Sequence, residues 1–549
     1  MPGFILALGI GLSLALQVHS RDGVFFNGEA GLKALLAQQF STGQLRASLD
    51  MSQPQWVLAL WRQGLYPFAP PFAYEQQGNY FIRFLFTFPA ITAPFYALVG
   101  YRGLYVVPLV SLWIIWWRLC LVCRVWRVRS IFISLSLVLV IAASPLTLYG
   151  AMYWEHTLAV ALAFWGLSGL LLHVLPGDSH DDERISLNEA LVNGGCVGLS
   201  VWVRPELLCL VLILGMMAVA SQVRQLAKPL RLVIPRGLTL GLVVAFNGAM
   251  GLTVLGFFGA NLVFYGHPLG IYAAHTPLSL GQQVAQTLGN YGQMVLSLGR
   301  YFPAVLLGLG LPWCLKGPAR AASSGLAVMG ILFAIAVPLI SSSVTEAQQW
   351  GPRFYLILVP MVGLIVAAGL QHLWHLKRQR RGLLAAIAIV LALGIHTNLV
   401  NGTLNVYRDP QTNSASLPSV YEPIAPAITA LANYDERWVA ISHQAVAQQL
   451  WPSVKLKTFF RAETDAAVAQ LAAELVNQKE FSFLYICHPD HPCEIPNQGT
   501  LKSKLLGGDN DDAAMSIFFE PLGTFGQYPF YRGFMQTQPA SQQASKLNP

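Results

Sequence analysis

Long apolar runs separated by short charged breaks fill the chain from Phe4 to about residue 400. Runs of this kind match helices at 1.5 Å per residue, which need about 20 residues to cross hydrocarbon. The first, Phe4–Val18, is barely a span. Met1-Pro2-Gly3-Phe4 carries no side-chain positive charge, and no small-residue cleavage site follows, so it is expected to stay as a helix rather than be removed. Ten further spans are predicted at 104–123, 130–148, 157–175, 187–203, 207–222, 237–258, 302–315, 325–341, 354–371 and 383–399. Residues 81–99 are apolar but broken by Pro89 and Pro94. They are predicted to be interfacial or re-entrant, because a span there would reverse the side of the basic run Arg124–Arg129. Residues 20–80 hold no span, although Glu29–Phe40 reads as a helix with Leu32, Leu35, Leu36 and Phe40 on one face.

Beyond residue 400 the pattern becomes that of a globular α/β domain. Arg437–Ser442, Leu456–Phe460 and Phe481–Ile486 read as strands, while Ala445–Leu450 and Thr464–Gln478 read as helices. Strand–helix alternation predicts βαβ units. The expected organisation is therefore a membrane domain over 1–400, with a first external loop at 20–80, then a soluble domain over 401–535 and a disordered tail at 536–549.

Composition agrees with this pattern. Of 549 residues, 54% are hydrophobic and 11% charged, against roughly 25% charged in soluble domains. Mean hydropathy is +0.50. The net charge of +8 does not point to nucleic acid, because the basic residues cluster in short loops: Arg124, Arg127 and Arg129; Arg224, Lys228, Arg231 and Arg236; Lys316 and Arg320; Lys377, Arg378, Arg380 and Arg381. By the positive-inside rule these loops are cytoplasmic. That gives about eleven spans, an inside N-terminus and an extracytoplasmic C-terminal domain. Cys120, Cys123, Cys196, Cys209 and Cys314 lie in or beside apolar runs and read as small hydrophobes. Cys487 and Cys493 lie in a polar segment and can pair in an oxidising space.

The charges left over fall on the opposite side. Asp22, Glu29, Glu155, His156, Arg204, Glu206, His267, Trp350 and Arg353 all sit at ends of apolar runs facing away from the basic loops. Charge beside hydrocarbon is costly, so its clustering marks a site. Taken singly, each has a plainer role: Glu29 as a helix-dipole partner, Trp154 as a belt aromatic, Arg204 paired with Glu206 or Glu155, Arg353 snorkelling at a helix end. Taken together, they suit a lipid-anchored anionic substrate, with Arg204 and Arg353 on its phosphate and Trp350 as a stacking platform. Glu155 and His156 can bind sugar hydroxyls or relay a proton. A carboxylate at an apolar wall, Glu29 or Asp22, suits a general base. No nucleotide phosphate loop and no zinc spacing of Cys and His occurs; His488-Pro489-Asp490-His491 is a metal candidate in a turn-rich loop. Asn401-Gly402-Thr403 is a glycosylation sequon.

This arrangement resembles the GT-C glycosyltransferases over roughly residues 1–400. Members of that family place an acidic pair and an apolar helix in the first external loop, where this chain has Gly28-Glu29-Ala30-Gly31-Leu32-Lys33-Ala34-Leu35-Leu36. Gly28 stands where the family's Asp would be, which leaves the base between Glu29 and Asp22. Trp154-Glu155-His156, Arg204-Pro205-Glu206, Tyr265-Gly266-His267-Pro268 and Trp350-Gly351-Pro352-Arg353 also look like signatures of bacterial multi-span sugar transferases. The resemblance implies an inverting transfer from a polyprenyl-phosphate sugar to a lipid, glycan or protein acceptor, without a cofactor or dedicated metal, in a bacterial inner or plasma membrane. Competing readings are a lipid-linked sugar flippase or transporter, and a polymerase or ligase of lipid-linked oligosaccharides.

Overall fold

In the computed structural model the described residues are 1–19, 22–26, 28–51, 53–173, 185–220, 239–271, 280–314, 317–340, 350–374, 380–404, 421–493, 500–504 and 514–537. The segment Asp178–Arg184 between the expected spans 157–175 and 187–203, the basic loop Arg224–Arg236, Lys316, Lys377, Arg378 and residues 538–549 lie outside them. The chain divides into two units: one holds residues 1–19 and the helices from 98 to 404, the other 22–97 and 421–537.

The first unit is helical. Its elements are α1 Pro2–His19, α5 Val106–Val125, α6 Ser130–Ala142, α7 Leu146–Ala151, α8 His156–Leu171, α9 Leu187–Val203, α10 Leu208–Ala220, α11 Leu240–Tyr265, α12 Leu280–Tyr301, α13 Ala304–Cys314, α14 Gly317–Ile340, α15 Leu358–Leu373 and α16 Arg380–Ile395. Neighbours pack in the order α11, α9, α8, α5, α15, and α15 also meets α6, α13 and α14. Small residues set the spacing. A Cβ on Gly194 would lie 2.2 Å from the carbonyl oxygen of Phe246, and one on Gly198 2.8 Å from that of Met250. Gly194 and Gly198 are thus a small-xxx-small contact that lets the α9 and α11 backbones touch. Gly166 does the same between α8 and α9, with a Cβ 2.3 Å from the Asn193 carbonyl oxygen. The outward faces are apolar: on α11, Val244, Leu252, Leu255 and Val263 are 62%, 74%, 67% and 80% exposed. A helix that shows such residues outward is built for lipid.

By length and composition, four helical stretches among the described residues can cross a membrane unaided: Thr87–Val125, Leu240–Tyr265, Ala322–Ile340 and Leu384–Thr403. The other apolar helices are shorter. Two sequence expectations change. The span expected at 130–148 is interrupted at Ala143–Pro145, because proline cannot continue the helix. Ser144 and Thr147 hydroxyls donate to the Val140 and Ile141 carbonyls that the break leaves open. The stretch between the expected spans 237–258 and 302–315, left without an element by the sequence, is largely helix among the described residues, since α11 continues to Tyr265 and α12 starts at Leu280. Glutamines and asparagines on one side of α12 hid an amphipathic helix.

The second unit is built on a six-stranded sheet of order β4-β3-β5-β8-β7-β6, from β3 Trp438–Ile441, β4 Thr458–Arg461, β5 Ser482–Ile486, β6 Thr500–Lys504, β7 Ala514–Phe525 and β8 Tyr528–Thr537. β3 pairs in parallel with β4 and β5; the other pairs are antiparallel. Crossover helices α18 Gln444–Gln449 and α19 Asp465–Asn477 connect the parallel strands, and α19 buries Val468, Leu471, Ala472 and Leu475. β7 and β8 join through a two-residue turn with Gly526 at φ +61°. β8 extends to Thr537, into the segment expected to be a disordered tail. The same unit includes α17 Tyr421–Asn433.

Residues 22–97 belong with this sheet. They form α2 Gly28–Ser41, α3 Gln55–Leu60, the hairpin β1 Ala73–Gln76 and β2 Asn79–Ile82, and most of α4 Thr87–Val99. The Trp451 indole donates to the Gly23 carbonyl at 2.9 Å, and that of Trp61 to the Phe459 carbonyl at 3.1 Å. Gln444 Oε1 accepts the Ala69 N–H at 2.8 Å. Phe25 stacks on Trp451, 5.3 Å between centroids.

Candidate functional site

In the first unit the sequence candidates converge on one guanidinium. Arg204 ends α9 in an extended conformation (φ −142°, ψ 105°), as the residue before a proline must. Pro205 then opens a 3₁₀ turn, Pro205–Leu207. From that corner Arg204 Nε donates to Glu206 Oε1 at 2.6 Å, and Nη1 donates to Glu155 Oε1 at 2.8 Å. Glu155 is the N-cap residue of α8. The three side chains are 13%, 11% and 5% exposed for Arg204, Glu206 and Glu155. Buried charges persist only when paired and hydrogen-bonded, which this triad achieves.

Phe354, which sequence reading did not single out, brings in the second arginine. It lies in the turn Arg353–Tyr355 ahead of α15. Its ring centroid is 5.2 Å from the Arg204 guanidinium carbon and 4.7 Å from that of Arg353. Two guanidiniums thus share one aromatic ring beside two carboxylates. His156 is buried against Tyr149 and Trp154, with centroids 5.2 and 5.4 Å away.

The remaining two candidates sit differently. Trp350 is buried: its ring meets Tyr301 at 5.2 Å, its indole donates to Asn398 Oδ1 at 3.3 Å, and a Cβ on Gly402 would come within 2.8 Å of it. That contact set anchors the turn that presents Arg353, with Gly351 at φ +75° against Tyr301. His267 lies in the turn after α11, where Nδ1 accepts the Leu269 N–H at 3.2 Å; it makes no polar contact with the arginine group among the described residues.

In the second unit, Glu29 occupies the first turn of α2 and is buried, whereas Asp22 is exposed in the preceding turn. Lys33, one turn further and also overlooked in the sequence, is 1% exposed with Nζ 4.2 Å from the Phe84 ring. The spacing i, i+4 sets Glu29 and Lys33 on one face of α2. The neighbouring helix α18 explains the glycines. A Cβ on Gly31 would lie 2.0 Å from the Gln448 carbonyl oxygen, and one on Gly28 2.4 Å from its Oε1.

No family model matches this sequence, and no curated protein matches it by sequence. Solved structures do. ArnT from Cupriavidus metallidurans in the apo state overlays with a TM-score of 0.51 at 12% identity, covering 97% of this chain and 98% of that one. The fold is that of the GT-C glycosyltransferases. ArnT from the same organism bound to undecaprenyl phosphate gives a TM-score of 0.49 at 11% identity, covering 96% of this chain and 97% of that one. The archaeal oligosaccharyltransferase AglB from Archaeoglobus fulgidus, in complex with an inhibitory peptide and a dolichol-phosphate, gives 0.48 at 12% identity, with 88% and 69% covered.

Proposed function

We propose that this protein is an integral-membrane glycosyltransferase that moves a sugar from a polyprenyl-phosphate donor to a lipid, glycan or protein acceptor on the extracytoplasmic face, with inversion. The observation that carries it is the buried Glu155–Arg204–Glu206 triad, sharing Phe354 with Arg353 inside a bundle that has an apolar exterior. The GT-C fold supports the same reading; ArnT of Cupriavidus metallidurans, which shares it, binds undecaprenyl phosphate.

In the proposed reaction an acceptor hydroxyl attacks the anomeric carbon, the bond from that carbon to the phosphate oxygen breaks, and polyprenyl phosphate leaves. Glu29 takes the hydroxyl proton; Asp22 is the second choice, being solvent-exposed rather than held in a helix. Arg204 and Arg353 stabilise the departing phosphate, and Glu155 and Glu206 orient Arg204. His156, His267 and Trp350 complete the substrate-binding assignment. The N-terminus is assigned to the cytoplasm and the C-terminal unit to the outside of a bacterial inner membrane.

The test is purified protein with a panel of labelled polyprenyl-phosphate sugars. Release of polyprenyl phosphate by wild type and its loss in Glu29→Gln support the proposal. Full turnover in both Glu29→Gln and Asp22→Asn removes the base assignment. Movement of the donor across vesicle bilayers without its cleavage would show a flippase instead.

A further inference from the structure

The end of β3 and the loop after β5 meet around three imidazoles in the second unit. His443, His488 and His491 each present a ring nitrogen within 4.8 Å of the other two. The backbone beneath them is braced. Cys487 and Cys493 form a disulfide across the loop that carries His488 and His491. Ser442 Oγ accepts the His488 N–H at 2.9 Å and donates to the His491 carbonyl at 2.8 Å. The His491 N–H donates to the His488 carbonyl at 3.1 Å, and the two residues form a β-bridge.

We propose that His443, His488 and His491 bind one divalent transition-metal ion of the Zn²⁺ class, leaving the remaining coordination position to water. Three imidazoles are a ligand set for zinc, copper or nickel, and a poor one for the oxygen-seeking calcium and magnesium. The two thiols nearest in sequence, Cys487 and Cys493, are already joined to each other, so the donors are nitrogen. A neutral imidazole offers one ring lone pair to such an ion.

Binding requires two local changes. Nδ1 of His443 accepts the Ala445 N–H at 3.2 Å, and Nδ1 of His488 accepts the Asp490 N–H at 3.1 Å. An ion captured at Nε2 moves each ring proton to Nδ1, so these long backbone contacts are exchanged for metal bonds. The His443 and His491 rings are stacked, 4.1 Å apart at 18°, and parallel rings cannot both aim at one ion. His491 is exposed and turns to meet it. The bound ion then ties the N-terminus of α18 to the disulfide loop. Because Gln448 of α18 lies against Gly28 and Gly31, the ion also stiffens the seat of the helix that carries Glu29. None of this depends on the proposed sugar transfer.

The test uses untagged, EDTA-stripped full-length protein in detergent, titrated with Zn²⁺ by calorimetry and with Co²⁺ by visible absorption. One ion per chain is expected, with a Zn²⁺ Kd below about 10 µM. The Co²⁺ complex is expected to show the bands of a four-coordinate site. His491→Gln, at an exposed position, and His488→Gln should each weaken binding by about tenfold or more, while melting as wild type does without the ion. Absence of saturable binding at a concentration ten times that limit overturns the site. So does equal affinity in both variants, which would assign the binding to other histidines among the 12 in the chain.

Discussion

Arg204 Nη1 reaches Glu155 Oε1 at 2.8 Å, linking the corner after α9 to the N-cap of α8, 49 positions earlier in the chain. With Glu206 on the other side, the guanidinium is held from both flanks. Removing Arg204 leaves two buried carboxylates without compensation, which costs about 3 kcal/mol, whereas removing Glu155 leaves the guanidinium paired with Glu206. Arg204→Met should therefore lower the melting temperature of detergent-solubilised protein by several degrees, and Glu155→Ala by less. Glu155→Gln, which keeps an acceptor oxygen, should lower it least. In a double-mutant cycle, adding Glu155→Ala to Arg204→Met should recover part of the Arg204→Met loss, because it removes one stranded carboxylate. Equal and additive losses would mean that the pair does not act as a unit. If Arg204 also binds donor phosphate, Arg204→Ala raises the apparent donor KM.

The α9–α11 contact predicts a steep size dependence at Gly194. Its neighbour at 2.2 Å is the backbone carbonyl of Phe246, which cannot turn aside as a side chain can. Gly194→Ala must separate the two helices, and Gly194→Val must separate them further; overpacking of this kind costs about 1–3 kcal/mol. At Gly195, one residue on, an added methyl group would meet nothing within 4 Å. Gly195→Ala should melt at or above the wild-type temperature, since alanine is the better helix former. Thermal melts of the three variants check this ordering.

Gly28 and Gly31 make a similar comparison in the second unit. Both face Gln448: the added methyl at Gly28 meets its Oε1 at 2.4 Å, which can swing aside, and its Cβ at 2.8 Å, which cannot, while that at Gly31 meets a carbonyl oxygen at 2.0 Å. Gly31→Ala should loosen α2 from α18, seen as faster proteolysis within 22–51, and Gly28→Ala should do so less. Gly28→Asp puts an acid at the position where the sequence resemblance implies one. It should lower rather than raise turnover, because the carboxylate enters a space that Gln448 occupies.

How far the sequence reveals this protein varies from element to element. The α2 helix was readable from Leu32, Leu35, Leu36 and Phe40, and the β3–α18–β4–α19–β5 run from its alternating periods. Strands β7 and β8 were hidden because Pro521 and Gly523 sit at a register shift, and Pro529 and Gly533 interrupt the alternation. Gly533 nonetheless fits a pleat, lying under the Phe483 ring, 2.6 Å from a Cβ added there. Among the candidate residues, the group Glu155, Arg204 and Glu206 that the structure pairs stood out in the sequence because ionisable groups at ends of apolar runs are costly. Phe354 was not, since an aromatic there carries no such signal. Residues 20–80 read as a membrane-domain loop by sequence order; Trp61, Trp451 and Gln444 tie them to a sheet 375 to 428 positions away, and periodicity says nothing about contacts at that separation.

The disulfide should matter modestly. It closes a loop six residues long in sequence separation, and by chain entropy so short a loop yields about 2 kcal/mol. Replacing both cysteines with serine should lower the melting temperature of the C-terminal unit and leave the fold intact, because Ser442 still bonds both His488 and His491. A near-unchanged melt of that double variant alongside loss of ion binding would show that the bridge serves the histidine cluster rather than the sheet.

The sequon at Asn401 predicts an absence of glycan from the folded protein. Asn401-Gly402-Thr403 lies in a helical turn at His396–Thr403. The Thr403 hydroxyl is buried and donates to the Asn398 carbonyl at 2.8 Å. Gly402 faces the Trp350 ring, where even a methyl group would come within 2.8 Å. Glycosylation needs the triplet extended and accessible, and this turn would have to unwind, breaking the Trp350–Asn398 contact that anchors the Arg353 turn. Expressed in a glycosylating host, the folded protein should show no mass change on amidase treatment. Occupied Asn401 in an active preparation would mean that the turn opens in the native state.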